Sequence, residues 1–146
     1  MPDKFNLSHL AQEMVVSRLK GAEDAPAVAA QIARDTIVAG VHGTRSSGQP
    51  SEDTVEEICL GIMQGVLLIG SKLPETAVNV LRVMAEAAQA AGLEPSVTMT
   101  WAMRGIARMA PLVSVEAQWE IQRAIEEEYQ GAGDVFGQFC DAARKK

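Results

Sequence analysis

The chain has 146 residues, 47% of them hydrophobic but only 4% aromatic, and carries 13 Lys plus Arg against 19 Asp plus Glu for a formal net charge of −6. That length fits one domain, 1–146, with enough material for a real core, and an apolar inventory of Ala, Val, Leu, Ile and Met favours helices over sheets, because Ala, Leu and Met lose little freedom in a helix. The first fifty residues hold five charges of each sign, so the acidic excess lies wholly beyond them; it argues against a general nucleic-acid binder, which needs a basic field to neutralise phosphate.

Prolines cut the chain into helix-sized pieces. Pro2, Pro26, Pro50 and Pro74 are spaced 24 apart, and Pro95 and Pro111 follow. Each internal proline lies near a plausible helix start, where its missing N–H and fixed φ are tolerated. The expected fold is an all-α compact bundle of about five to seven helices, with short disordered ends at 1–5 and 144–146.

The first helix, 8–20, sets Leu7, Leu10, Met14 and Leu19 on one face and stops at Gly21. Asp24 caps a second, 26–42. After the polar loop GTRSSGQP, Ser51 caps a third, 52–71, whose first turns carry Glu52, Asp53 and Glu56 on the favourable side of the dipole. Pro74 opens a fourth, 75–91, which ends where Gly92 suits a left-handed position, Leu93 can add an apolar contact and Pro95 forbids continuation. Ser96 caps a fifth, 97–110, ended by Pro111. Ser114 caps a sixth, 115–130, and Asp134 begins a short seventh, 135–144, whose basic end Arg144, Lys145 and Lys146 complements the dipole.

The third helix is too apolar for one wet side. Val55, Ile58, Ile62, Val66 and Ile69 make one stripe, and Leu60, Met63, Leu67 and Leu68 cover much of the rest. A helix apolar all round is buried all round, so this is either the central helix of the bundle or a helix covered by a second subunit, a homodimer being the commonest symmetric solution. From Ile58 to Gly70 only Gln64 is polar, yet such a helix reaches roughly 20 Å, short of the roughly 30 Å hydrocarbon core of a bilayer. GVLLIG alone could be a buried strand, but it continues a capped helix and has no partner strand.

Three helices share a pattern of large apolar residue, any residue, glycine and β-branched residue: Val38-Ala39-Gly40-Val41, Met63-Gln64-Gly65-Val66 and Met103-Arg104-Gly105-Ile106. A glycine inside a helix costs roughly 1 kcal/mol relative to alanine, so repeated use calls for a shared reason, and close approach of helix backbones supplies one. Gly40, Gly61, Gly65 and Gly105, with Met63, Leu67 and Trp101, are therefore the candidate helix-packing or interface residues. Trp101 and Trp119 read as core or interface anchors.

No catalytic, cofactor or metal constellation stands out. His9 and His42 are far apart and neither belongs to a Glu-x-x-His pair; Cys59 and Cys140 are isolated and read as reduced core residues of a cytoplasmic protein. The N-terminus has no signal-peptide pattern. Gly43 to Gly48 begins like a phosphate loop, but Gln49 and Pro50 stand where Lys and Ser or Thr belong and no strand precedes it. A milder possibility is an anion held by His42, Arg45, Ser46 and Ser47 at the amino end of the third helix. Arg104 and Arg108, one turn apart, fit either an anion clamp or pairing with acids of neighbouring helices. Glu116, Glu120 and Glu127 line one side of the sixth helix and read as a solvated face.

Three functions follow from these features. The first is a non-catalytic helical protein that associates with itself or a protein partner through Gly/Ala-lined helix faces. The second is cover of a lipid or storage-granule surface, for which the Ala-rich amphipathic helices are similar in composition to phasin-type proteins. The third is a small-ligand or enzymatic pocket lined by Met63, Met84, Met99, Met103 and Met109.

Overall fold

The computed structural model describes residues 6–45 and 50–145, with only the backbone of Thr44 and Arg45. Among these residues there is no strand. Eight α-helices follow one another: α1 (Leu7–Leu19), α2 (Ala25–Arg45), α3 (Ser51–Leu68), α4 (Leu73–Arg82), α5 (Met84–Ala91), α6 (Pro95–Ala107), α7 (Val115–Glu128) and α8 (Ala132–Arg144), with a short 3-10 turn, Ala110–Leu112, before α7.

The count exceeds seven because the single helix expected over 75–91 is two. At Val83 the backbone has φ −83° and ψ −3°, and the helix is interrupted there without any Gly or Pro. The break lets α4 pack on α2 and α7 while α5 packs on α2 and α6. Tertiary packing overrode a locally continuous helical pattern.

Capping follows side-chain chemistry, with two corrections. Asp24 accepts the Ala27 N–H at 3.2 Å and Ser114 the Ala117 N–H at 3.1 Å. Ser51 is not a cap but the first residue of α3, and Pro50 precedes it without a side-chain bond. Nor is Ser96 a cap: Pro95 takes the first helical position, which moves capping back to Glu94, whose carboxylate accepts the Ser96 hydroxyl at 2.6 Å and the Val97 N–H at 2.9 Å. Those bonds, Ser96 first, hold the Glu94 carboxyl below the usual carboxylate range. At the end of α5, Gly92 adopts φ +74° and the Leu93 N–H donates to the Ala88 carbonyl at 2.8 Å, the glycine stop that the sequence implies.

Buried residues from every helix join one hydrophobic cluster. Helix α3 contributes Val55, Ile58, Cys59, Leu60, Ile62, Met63 and Val66 and packs against α1, α2, α4 and α6. Its apolar circumference from Val55 to Val66 is thus covered by the same chain, and only Leu68 at its end stands largely in water. Thr54, Thr76 and Thr98, the buried threonines at the starts of α3, α4 and α6, each donate a hydroxyl to the carbonyl four residues back, at 3.4, 2.6 and 2.8 Å. Their polarity is satisfied locally, which makes burial tolerable. Among the described residues, no helix is long and apolar enough to cross a membrane.

Candidate functional site

The glycines of α3 receive α1. A Cβ on Gly61 would run into the Ser8 carbonyl oxygen, and one on Gly65 would stand 2.7 Å from Val15 Cβ and 2.9 Å from the Gln12 carbonyl oxygen. Gly105 of α6 does the same toward α3, where an added Cβ would lie 2.9 Å from Glu56 Cα. Gly40 of α2 faces Ile58 and Thr54 side chains at 3.1 and 3.2 Å. All four glycines therefore sit at seams between helices of one chain. Met63 is buried beside them, while Leu67 and Trp101 are half-buried, Trp101 against the core. An association that used these glycine faces would have to part α3 from α1, α2 or α6.

The close approach at Gly105 organises a cluster of ion pairs between α6 and α3. Flanking that glycine, Arg104 and Arg108 reach the acidic row at the start of α3: Arg104 Nη1 donates to Glu52 Oε2 at 2.8 Å and Glu56 Oε2 at 3.1 Å, and Arg108 Nη1 to Glu57 Oε1 at 3.1 Å, with Glu56 Oε1 3.8 Å away. The hydrogen bond that Arg104 donates to Glu52, then the one it donates to Glu56, holds its guanidinium above the ordinary arginine range against partial desolvation. Its carbon also lies 5.2 Å from the centre of the Phe139 ring of α8, close enough for cation–π attraction. A cleft of about 380 Å³ opens beside this cluster.

Two arginines facing three carboxylates leave no spare positive charge for an anion, so the clamp role gives way to interhelix pairing. Each such partly exposed pair is worth only about 0–1 kcal/mol; their combined effect is to fix the register of α6 on α3. Among the described residues, no group of three or more His, Cys, Asp or Glu is arranged to hold a metal ion.

Of the anion-binding set expected at the start of α3, only part falls within the described residues. His42 lies exposed inside α2, in its last turn, where outward carbonyls carry partial negative charge and repel an anion. Arg45 closes the same helix, and Ser46 and Ser47 lie outside the described residues. The methionines fill space: Met63, Met84, Met103 and Met109 are buried, and Met99 packs against the core.

The feature that stands apart is the outer face of α7. Gln118, Ile121 and Ile125 form its buried side, and Trp119 sits about 160° from Ile121 around the helix, pointing away. It is 60% exposed, with Val115 one turn earlier at 45% and Leu112 at 55%. Trp119 also borders an open cleft of about 590 Å³ shared with Gln122, Arg123, Glu127 and Asp134. The signal was present in the sequence, since Ile121 and Ile125 fix the inward side and place Trp119 outside it.

Both thiols are buried and unpaired. Burial pushes Cys59 up to about 12, helped by the neighbouring Glu56 charge, and pushes Cys140 up to about 12 as well. The folded state therefore holds these protons more tightly than the unfolded chain, whose thiols ionise near 9.0. The stability this provides is fully present below pH 9 and is lost as pH rises from there toward 12. Urea unfolding at pH 7, 9 and 10.5 should show a loss between the last two that disappears in the Cys59→Ala, Cys140→Ala double variant when each protein is compared with itself at pH 7. An identical loss in that variant would assign the alkaline effect elsewhere.

No protein-family model, curated protein or solved structure matches this chain. Fold and surface alone define the class: an all-α protein whose helices close on their own glycine seams and which presents an apolar, tryptophan-centred helix face to solvent.

Proposed function

We propose that this is a non-catalytic helical protein that acts by associating with a protein surface, its own or another's, and that the outer face of α7 makes the contact. The observation that carries this reading is Trp119, 60% exposed, with Val115 one turn earlier on α7 exposed as well. Large aromatic side chains concentrate at protein interfaces, where they dominate the binding energy, and contiguous exposed apolar surface marks interaction sites. In this reading α3 is the central helix of a scaffold that holds α7 in place. The setting is the cytoplasm, where buried reduced thiols such as Cys59 and Cys140 persist.

Sedimentation velocity over a wide concentration range, paired with affinity capture by wild type and Trp119→Ala, tests the proposal. Support would be either an oligomer that the substitution dissolves or a stoichiometric partner that it releases, with the melting temperature unchanged. A monomer whose captured proteins are the same with and without Trp119 overturns it.

A second reading rests on a separate apolar patch, where Leu68, 65% exposed, meets Leu10, Met14 and Val16 of α1. This patch favours contact with a lipid or granule surface. Retention on vesicles that is lost in Leu68→Asp supports it, and absence of retention removes it.

A further inference from the structure

Helix α7 holds five glutamates and one arginine, much of the acidic excess of the chain. Two of the five are engaged: Glu126 accepts the Gly131 and Gly133 N–H groups, both at 2.9 Å, and Glu128 pairs with Arg82 at 2.7 Å. Glu116, Glu120 and Glu127 are exposed, as is Asp134 at the start of α8, and among the described residues no salt bridge involves any of them.

Their placement is ordered. Glu116, Glu120, Arg123 and Glu127 follow one another at intervals of four, three and four residues, so they form one row along the helix. That row runs beside the apolar edge of Val115 and Trp119. A helix laid along this edge would pack apolar side chains on Trp119 and bring its flanking positions against the glutamates.

Resting on the association reading above, we propose that the outer face of α7 docks a basic amphipathic segment of another protein. Lysine or arginine flanks answer the glutamate row, and one of them can stack on the exposed indole. A second copy of this chain fits less well, because pairing two α7 faces brings two glutamate rows together with one arginine each. An anionic membrane is opposed by the same charge.

Calorimetric titration with a synthetic helical peptide tests the assignment. The peptide carries leucine at helical spacing and lysine on its flanks; its counterpart carries glutamate in place of lysine. The wild-type protein should bind the lysine peptide one to one, more weakly as salt rises, and ignore the glutamate peptide. Trp119→Ala should weaken binding about tenfold or more, as expected of an interface hot spot. The Glu120→Lys, Glu127→Lys double variant, checked for an unchanged melting temperature, should also weaken it and reverse the peptide preference.

Equal binding of both peptides, no binding of either, or unchanged affinity in Trp119→Ala overturns the assignment. A dimer dissolved by Trp119→Ala would give the face to a second copy, and uptake on phosphatidylcholine vesicles through Trp119 would give it to lipid. The dimer would overturn the basic partner and leave the association reading standing, whereas the lipid result would overturn both.

Discussion

Gly61→Ala is expected to lower the unfolding free energy by about 2–3 kcal/mol, the cost of overpacking a tight seam. The added methyl would meet the Ser8 carbonyl and the atoms bonded to it. These are backbone atoms of a helix, so no side-chain rotation relieves the clash. Relief requires α1 to lift from α3, which opens the contacts made by Leu7, Ala11, Val15 and Leu19, all buried on α1. Gly43→Ala is the matched control. Gly43 lies within α2 with nothing within 4 Å of an added Cβ, so alanine there should stabilise by about 0.5–1 kcal/mol through lower unfolded-state entropy and better helix propensity. Urea unfolding followed by circular dichroism measures both. If Gly61→Ala is as stable as wild type, α1 does not fill the glycine seam.

Phe136→Ala should cost about 3–5 kcal/mol, as for truncation of a buried aromatic side chain. Phe136 is 1% exposed and among the largest fully buried side chains. Its helix, α8, packs on α6, α7 and the 3-10 turn, and Phe136 belongs to the buried cluster, so truncation leaves a cavity in the core. The opposite end of the scale is Trp119→Ala. Although tryptophan is the larger residue, its 60% exposure limits the expected change to about 0.5 kcal/mol, as for other surface substitutions. Thermal unfolding of the two variants side by side should separate them clearly. A large loss from Trp119→Ala would make it a core anchor and remove the argument for a docking face.

Much of the fold was legible because helix ends are local events. Asp24 and Ser114 cap as their chemistry requires, and Gly21 and Gly92 stop helices by adopting positive φ, +84° and +74°. Where the local reading failed, a neighbour decided. Pro95 shifted a cap from Ser96 to Glu94, and α4 and α5 parted at Val83 where, beyond the α2 they share, one rests on α7 and the other on α6. The candidate sites were less legible. Arg104 and Arg108 were visible as a pair, yet their role depended on three glutamates far away in sequence that Gly105 brings within reach.

What the sequence by itself determined is that the chain is helical, where most helices begin and end, and that Gly40, Gly61, Gly65 and Gly105 mark close approaches. All three depend on backbone conformation and side-chain propensity within a few residues. Only the tertiary structure decided that α1 of the same chain fills the Gly61 and Gly65 seam, and that Arg104 and Arg108 meet the glutamates of α3 instead of an anion. Those outcomes turn on how helices distant in sequence settle against one another, a balance of packing and excluded water that no local pattern encodes.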